Sequence, residues 1–225
     1  MRFSMLQDKE AIIFDMDGSL VDSMWVWKDI DIQYLGRFGH TIPDDLQQKI
    51  EGMSFTETAV YFKERFEIPD TVEQIKADWN QMAWDNYRTR VMLKPGARSL
   101  LDYCKENGIK LGIATSNSRQ IVDMVMKERD IEGYFDCIMT SCEAKKGKPA
   151  PDIYLLTAQQ IGVPPEKCLV FEDIVFGIQA GKAAGMEVCA VEDAYSVYQW
   201  EEKKRLADYH IHDFTEIEEI REKQD

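Results

Sequence analysis

The spacing of hydrophobic residues changes three times along the chain. The first apolar run, Ala11-Ile12-Ile13-Phe14, does not alternate with polar residues and ends in Asp15-Met16-Asp17-Gly18. A run of this kind predicts a strand buried on both faces, as in a parallel sheet. From Met24 to Arg90 the strand pattern is missing. Ser54-Phe55-Thr56-Glu57 has the form of a capping box, and Phe55, Ala59, Phe62 and Phe66 follow at helical spacing. Thr71-Val72-Glu73-Gln74 repeats the box, with Val72, Ile75, Trp79 and Met82 as the next stripe. Four helices are predicted, near 24–38, 43–51, 54–66 and 70–91.

After Pro95-Gly96 the two patterns alternate. Helices are predicted near 96–107, 118–129, 151–161 and 174–184, and a last one over 215–223. Strands are predicted at 109–114, 135–140, 167–171, 187–191 and 209–212. Such alternation predicts an α/β fold, a Rossmann-like parallel sheet with helices on both faces. Residues 1–23 and 91–225 then form the core, and 24–90 an inserted small helical cap. An insertion after the first strand lies over the carboxyl ends of the strands, where ligands bind in such sheets.

Polar groups collect at those ends. Asp15 and Asp17 follow the first strand, Thr115 the second, and Glu172 and Asp173 the fourth, while Lys148 lies in the loop after the third. Strand ends in a parallel sheet share one rim, so these residues can meet. A lone Asp or Thr there is an ordinary turn or cap residue; several together ask for another explanation. Carboxylates without His or Cys select a hard cation, most simply Mg²⁺. With Lys148, such a cation makes room for phosphate, and Asp15 becomes a candidate nucleophile. Gly18 permits a tight turn beside Asp17. Backbone N–H groups near Met16 and Ser116 are candidates to hold phosphate oxygens.

Composition narrows the function. The chain has 225 residues, 44% hydrophobic and 30% charged, as expected of one globular domain or one carrying an insertion. Its 41 acidic and 27 basic residues give a net charge of −14. That field argues against binding nucleic acid or an anionic membrane. No apolar run approaches the ~20 residues that span a bilayer. The first ten residues lack the apolar core of a signal peptide, so the expected location is the cytoplasm. Cys104, Cys137, Cys142, Cys168 and Cys189 contain no Cys-x-x-Cys and read as small buried hydrophobes. A monomer is the default.

The motifs carry a resemblance. Asp15-Met16-Asp17-Gly18-Ser19-Leu20-Val21-Asp22-Ser23 resembles the first motif of the haloacid dehalogenase superfamily. Thr115, in Gly112-Ile113-Ala114-Thr115-Ser116-Asn117, resembles the second. Lys148, in Gly147-Lys148-Pro149-Ala150-Pro151-Asp152, resembles the third. Phe171-Glu172-Asp173, followed by Gly177-Ile178-Gln179-Ala180-Gly181, resembles the fourth. The insertion is similar to the helical cap of the subgroup holding sugar-phosphate phosphatases and β-phosphoglucomutase.

The resemblance implies a Mg²⁺-dependent phosphatase for a small phosphorylated metabolite, acting through an aspartyl-phosphate. Asp15 is then nucleophile and metal ligand, and Asp17 general acid and base with a metal-binding carbonyl. Thr115 bonds the phosphoryl group, Lys148 neutralises charge, and Asp173 is a metal ligand with Glu172 beside it. The dehalogenase branch lacks the second aspartate and is disfavoured.

A phosphomutase is the alternative within the family, and a non-catalytic metal-binding protein the alternative outside enzymes. The family's mutases carry a cap arginine, lysine and histidine. The matching positions here are Phe55, Ala83 and Trp27, all apolar, and residues 24–90 hold 12 acidic and 8 basic side chains. Lys49, Lys63 and Arg88 are the cations that remain as substitutes.

Other residues invite a reading. Trp27, just past the first crossing into the insertion, is a candidate substrate contact, while Trp25, Trp79 and Trp84 are read mostly as cap core. Asp22 and Ser23 are read as structural. His210 and His212 are placed on an edge strand away from the cluster. The Glu-Glu-Lys-Lys run at 201–204 is read as a solvated helix face.

Overall fold

The computed structural model describes residues 5–217. Its centre is a six-stranded, wholly parallel sheet in the order β3-β2-β1-β4-β5-β6. The strands are β1 (Ala11–Phe14), β2 (Lys110–Thr115), β3 (Cys137–Thr140), β4 (Cys168–Glu172), β5 (Glu187–Val191) and β6 (Tyr209–Ile211). All four residues of β1 are buried, as the unalternating run requires. Ile12 and Phe14 face one layer, where Phe14 stacks on Phe171 at 5.2 Å. Ala11 and Ile13 face the other.

The helices fall on both sides. α5 (Ala97–Glu106) and α6 (Arg119–Glu128) share a core with Ile12 and Phe14. α7 (Asp152–Ile161) and α8 (Val175–Ala183) share one with Ala11 and Ile13. The chain runs outward from β1 through β2 to β3, then returns to place β4 on the other side of β1. That reversal opens a crevice at the carboxyl end of β1, where ligands bind in sheets of this kind.

Between β1 and α5 lie α1 (Met24–Arg37), α2 (Leu46–Ile50), α3 (Phe55–Arg65) and α4 (Val72–Thr89). Both predicted capping boxes form, at Ser54 with Glu57 and at Thr71 with Gln74. The chain leaves and re-enters the core side by side: Val21 bridges Leu93, Asp22 N donates to Met92 O, and Lys94 N donates to Leu20 O.

The predicted boundaries differ from these by up to three residues, mostly because flanking cap residues such as Ser54, Thr71 and Ser118 are not themselves helical. The strand predicted from 135 starts at Cys137, since the Asp136 carboxylate takes the N–H of Leu111. Residues 215–217 of the last predicted helix are helical, and 218–223 lie outside the described residues.

Three sequence readings need correction. Trp84 is 39% exposed and is not cap core. Cys142 is exposed, with Sγ 3.3 Å from Thr56 Oγ1, and Cys137 is half-buried; Cys104, Cys168 and Cys189 are buried as expected. The run at 201–204 belongs to α9 (Trp200–Leu206), and its Lys203 is fully buried. A lysine is rarely buried without partners, and Lys203 has three, described below.

α8 packs tightly over the end of β4. A Cβ added at Gly177 would lie 1.9 Å from Glu172 Oε1. Gly177→Ala should therefore destabilise the protein by about 1–3 kcal/mol, the usual range for overpacking. Denaturant titration against the unaltered chain measures it, and equal stability would show that α8 can move away.

Candidate active site

The rim gathers the predicted residues. Asp15 directly follows β1, Thr115 ends β2, Glu172 ends β4, and Lys148 enters from the loop after β3. Lys148 Nζ donates to Asp15 Oδ1 at 2.6 Å, to Glu172 Oε1, and to Ala114 O at 3.3 Å. Burial would push this ammonium down, but Asp15 and Glu172 hold it above its ordinary value. Burial pushes the Asp15 carboxyl up to about 7, against the pull of Lys148. Asp15 Oδ2 has no hydrogen-bond partner among the described residues.

Glu172 is fully buried and its oxygens are taken. Besides Lys148, Oε1 accepts from Tyr154 Oη at 2.5 Å, and Oε2 from Asp173 N at 3.1 Å. Asp173 differs: its Oδ2 is buried and unpartnered. Burial first, then Glu172 and Asp15, push the Asp173 carboxyl well above the usual range. Its backbone carbonyl accepts from Lys203 Nζ at 2.7 Å and Ser196 Oγ at 2.8 Å. Lys203 also donates to Val191 O and Ser196 Oγ, so all three of its protons are used. Gly18, at φ +75°, makes room: a Cβ there would lie 2.4 Å from Asp173 Oδ2.

Asp15, Glu172 and Asp173 offer carboxylate oxygens within 4.8 Å of one another. An orphaned buried oxygen within an all-oxygen donor set fits a hard divalent cation. The residues suited to hold it are Asp15 and Asp173; Glu172, whose oxygens are already bonded, orients the others.

Asp17 takes donors from both sides of the cleft. Its Oδ1 accepts from Ser23 Oγ at 2.5 Å and from the Tyr87 hydroxyl, and its Oδ2 from Asn117 Nδ2 at 2.9 Å. Burial pushes its carboxyl up, while Ser23, Tyr87 and Asn117 hold it back. Trp27 Nε1 donates to the Tyr87 hydroxyl at 2.6 Å, so Trp27 reaches Asp17 through Tyr87. Ser23, read as structural from the sequence, thus touches the site. The sequence reading assigns no role to Tyr87 or Asn117. Asn117 carries a signal, its place two residues after Thr115 in the second motif; Tyr87 sits 70 residues from Asp17 with no motif around it.

Thr115 is buried, and its Oγ1 accepts from Asn117 N at 3.1 Å. The backbone N–H groups of Met16 and Ser116 have no acceptor among the described residues. Ser116 O accepts from Phe55 N at 3.0 Å, joining α3 to the rim. His210 and His212 lie elsewhere against Trp200, His210 on the edge strand β6 and His212 just past its end rather than on it.

Over the rim lies a cavity of about 160 Å³. The core lends it Asp15, Asp17, Thr115, Ser116, Lys148 and Asp173. The insertion lends apolar walls, including Trp27, Phe55 and Trp79, and polar Asp31, Gln47 and Glu51. Lys148 is the one cation lining it among the described residues. Ala83 is buried, Lys49 and Arg88 are exposed, and Lys63 is tied to Ile68 O and Asp70 O.

Comparison with known proteins agrees with the architecture. The family model for haloacid dehalogenase-like hydrolases matches residues 12–191. A phosphorylated carbohydrates phosphatase of Thermotoga maritima is 34% identical over 178 residues, covering 79% of this chain and 82% of that protein. Hexitol phosphatase B of Escherichia coli is 29% identical, covering 92% and 93%. In fold, the chain is similar to the crystal structure of CbbY from Rhodobacter sphaeroides, with a TM-score of 0.83 at 24% identity, covering 93% and 96%. A match that takes in all four motifs and most of the chain makes this protein a member of the haloacid dehalogenase-like hydrolases, and thus an enzyme.

Proposed function

We propose that this hydrolase removes phosphate from a small phosphorylated metabolite through an aspartyl-phosphate on Asp15. One observation carries the reading: Lys148 fixes one oxygen of Asp15 while the other is left free in the cavity. The relatives' names, phosphatases of phosphorylated carbohydrates and of hexitols, support it.

In the first half-reaction Asp15 Oδ2 attacks phosphorus and the ester P–O bond breaks. Asp17, whose raised pKa favours holding a proton, gives that proton to the leaving oxygen. Lys148 and the Thr115 hydroxyl, with the N–H groups of Met16 and Ser116, offset charge on the phosphoryl oxygens. In the second half-reaction a water oxygen bonds to phosphorus, the Asp15–phosphorus bond breaks, and Asp17 takes the proton. Asp15, Asp173 and the Asp17 backbone would hold Mg²⁺, which would supply positive charge to offset that of the nucleophile and the phosphoryl group. Glu172 keeps Lys148 and Asp173 in place.

Residues 24–90 act as a cap on the core, closing over the substrate and opening to release product. Trp27, bonded to Tyr87 and packed on Phe55 at 5.8 Å, forms part of its inner wall. The working form is a cytoplasmic monomer. No described helix is long and apolar enough to cross a membrane.

The test is phosphate release from phenyl phosphate. Asp15→Asn should lose at least 10³-fold in rate, about 4 kcal/mol of barrier, and EDTA should abolish the activity of the unaltered enzyme until Mg²⁺ is restored. Retained turnover in the purified variant would rule out Asp15 as the nucleophile.

A mutase needs cations for its second phosphate, and among the described residues the cavity offers none beyond Lys148. With β-glucose 1-phosphate and a bisphosphate primer, inorganic phosphate should appear without isomerised sugar. Glucose 6-phosphate forming faster than phosphate would make the enzyme a mutase.

A further inference from the structure

We propose that Asp31 and the indole N–H of Trp79 select the leaving group, by holding one of its hydroxyls. The proposal rests on the phosphatase reading above and specifies its substrate as the monophosphate ester of an otherwise neutral, hydroxyl-bearing alcohol. Asp31 lies on α1 and lines the cavity, only 9% exposed. Its carboxyl has no hydrogen bond or ion pair among the described residues. Trp79 lies on α4, lines the same cavity and is 2% exposed, and its Nε1 is buried without a partner. Buried polar groups are normally satisfied, and each exception asks for an explanation. Desolvation pushes the Asp31 carboxyl up to about 7, a sign of what its present surroundings withhold.

The two groups have opposite polarity. An ionised carboxylate only accepts, and an indole N–H only donates. A second phosphate or a carboxylate on the substrate would satisfy Trp79 but meet Asp31 with like charge. An ammonium group would satisfy Asp31 and leave Trp79 unpaired. A hydroxyl donates to one and accepts from the other. Trp27 and Phe55 add apolar wall for the carbon chain, and Lys148 is committed to Asp15 and Glu172. A neutral polyol or sugar fits this lining; an acid does not. Discrimination of this sort is strong, because the wrong ligand leaves buried polar groups unpaired.

The experiment measures kcat/KM with Mg²⁺ for sorbitol 6-phosphate, glycerol 3-phosphate, 3-phosphoglycerate and phenyl phosphate. The two polyol esters should exceed 3-phosphoglycerate in the unaltered enzyme. In both Asp31→Asn and Trp79→Phe, the ratio of sorbitol 6-phosphate to phenyl phosphate should fall at least fivefold, chiefly through KM. Asp31→Asn should also raise Tm at pH 8, since it removes a buried charge that only the ligand satisfies. A smaller fall in both variants, a preference for 3-phosphoglycerate, or a lowered Tm with an unchanged ratio would overturn the proposal. Should Asp31→Asn not fold, Trp79→Phe decides. Should the unaltered enzyme hydrolyse none of the four esters, the phosphatase reading fails. Calorimetric titration of sorbitol 6-phosphate into Asp15→Asn and Asp15→Asn/Trp79→Phe then decides the inference, with binding at least fivefold weaker in the double variant expected and equal binding overturning it.

Discussion

A single ammonium group, shut away from water, holds the rim of this sheet together. Lys148 Nζ joins Asp15, just past the strand at the point of reversal, to Glu172, at the end of its neighbour. Buried pairs of this kind add little net stability, because desolvation offsets attraction, but losing one partner strands the other at a cost of about 3–5 kcal/mol. The arrangement gives a defined geometry rather than a large energy. With Lys148 between them, Asp15 and Glu172 can lie close without both expelling charge. Tyr154 and the Asp173 N–H complete Glu172, which leaves Asp15 Oδ2 and the Asp173 carboxylate without a hydrogen-bond partner among the described residues. Among the described residues, the unfilled valence of the site is therefore localised on Asp15 Oδ2 and the Asp173 carboxylate.

Lys203 adds a second layer to the same argument. It donates to the Asp173 carbonyl, the Val191 carbonyl and Ser196 from beneath the site. Burial pushes it down, while Asp173 and Asp193 pull the other way. Nearby, Lys94 pairs with Asp193 at 3.0 Å and donates to the Glu192 carbonyl. The loop after β5 is thus tied by ammonium groups that have almost no water. Four carboxylates at the rim, Asp15, Asp17, Glu172 and Asp173, still outnumber Lys148 and Lys203. A dication suits that imbalance.

The strands and the main site residues are legible in the sequence for one physical reason. Parallel strands buried on both faces must be continuously apolar, so the polar residues that interrupt them stand out, and their ends must coincide in space. Asp15, Thr115, Lys148, Glu172 and Asp173 are all found by that argument. Tyr87 is not, because a tyrosine on an amphipathic helix looks like core until its hydroxyl is seen on Asp17. Lys203 is hidden for the opposite reason: within Glu201-Glu202-Lys203-Lys204 it has the appearance of solvent-facing charge, and only the three acceptors around it explain its burial. Asp31 is unreadable for a third reason, since what marks it is the absence of a partner, and no local pattern encodes an absence.

The paired crossings at Val21–Leu93 and Asp22–Met92 have a bearing on ancestry. Because the chain leaves the core and returns at adjacent backbone positions, the core's ends are already brought together whatever lies between them. The entropy of closing such a loop grows only slowly with its length. An insertion at this joint can therefore lengthen, shrink or be exchanged over generations while the sheet below, with its Lys148 clamp, folds unchanged. Selection on the choice of substrate can then act mainly on the insertion and selection on the chemistry mainly on the core, with Tyr87 on Asp17 as the point where the two meet.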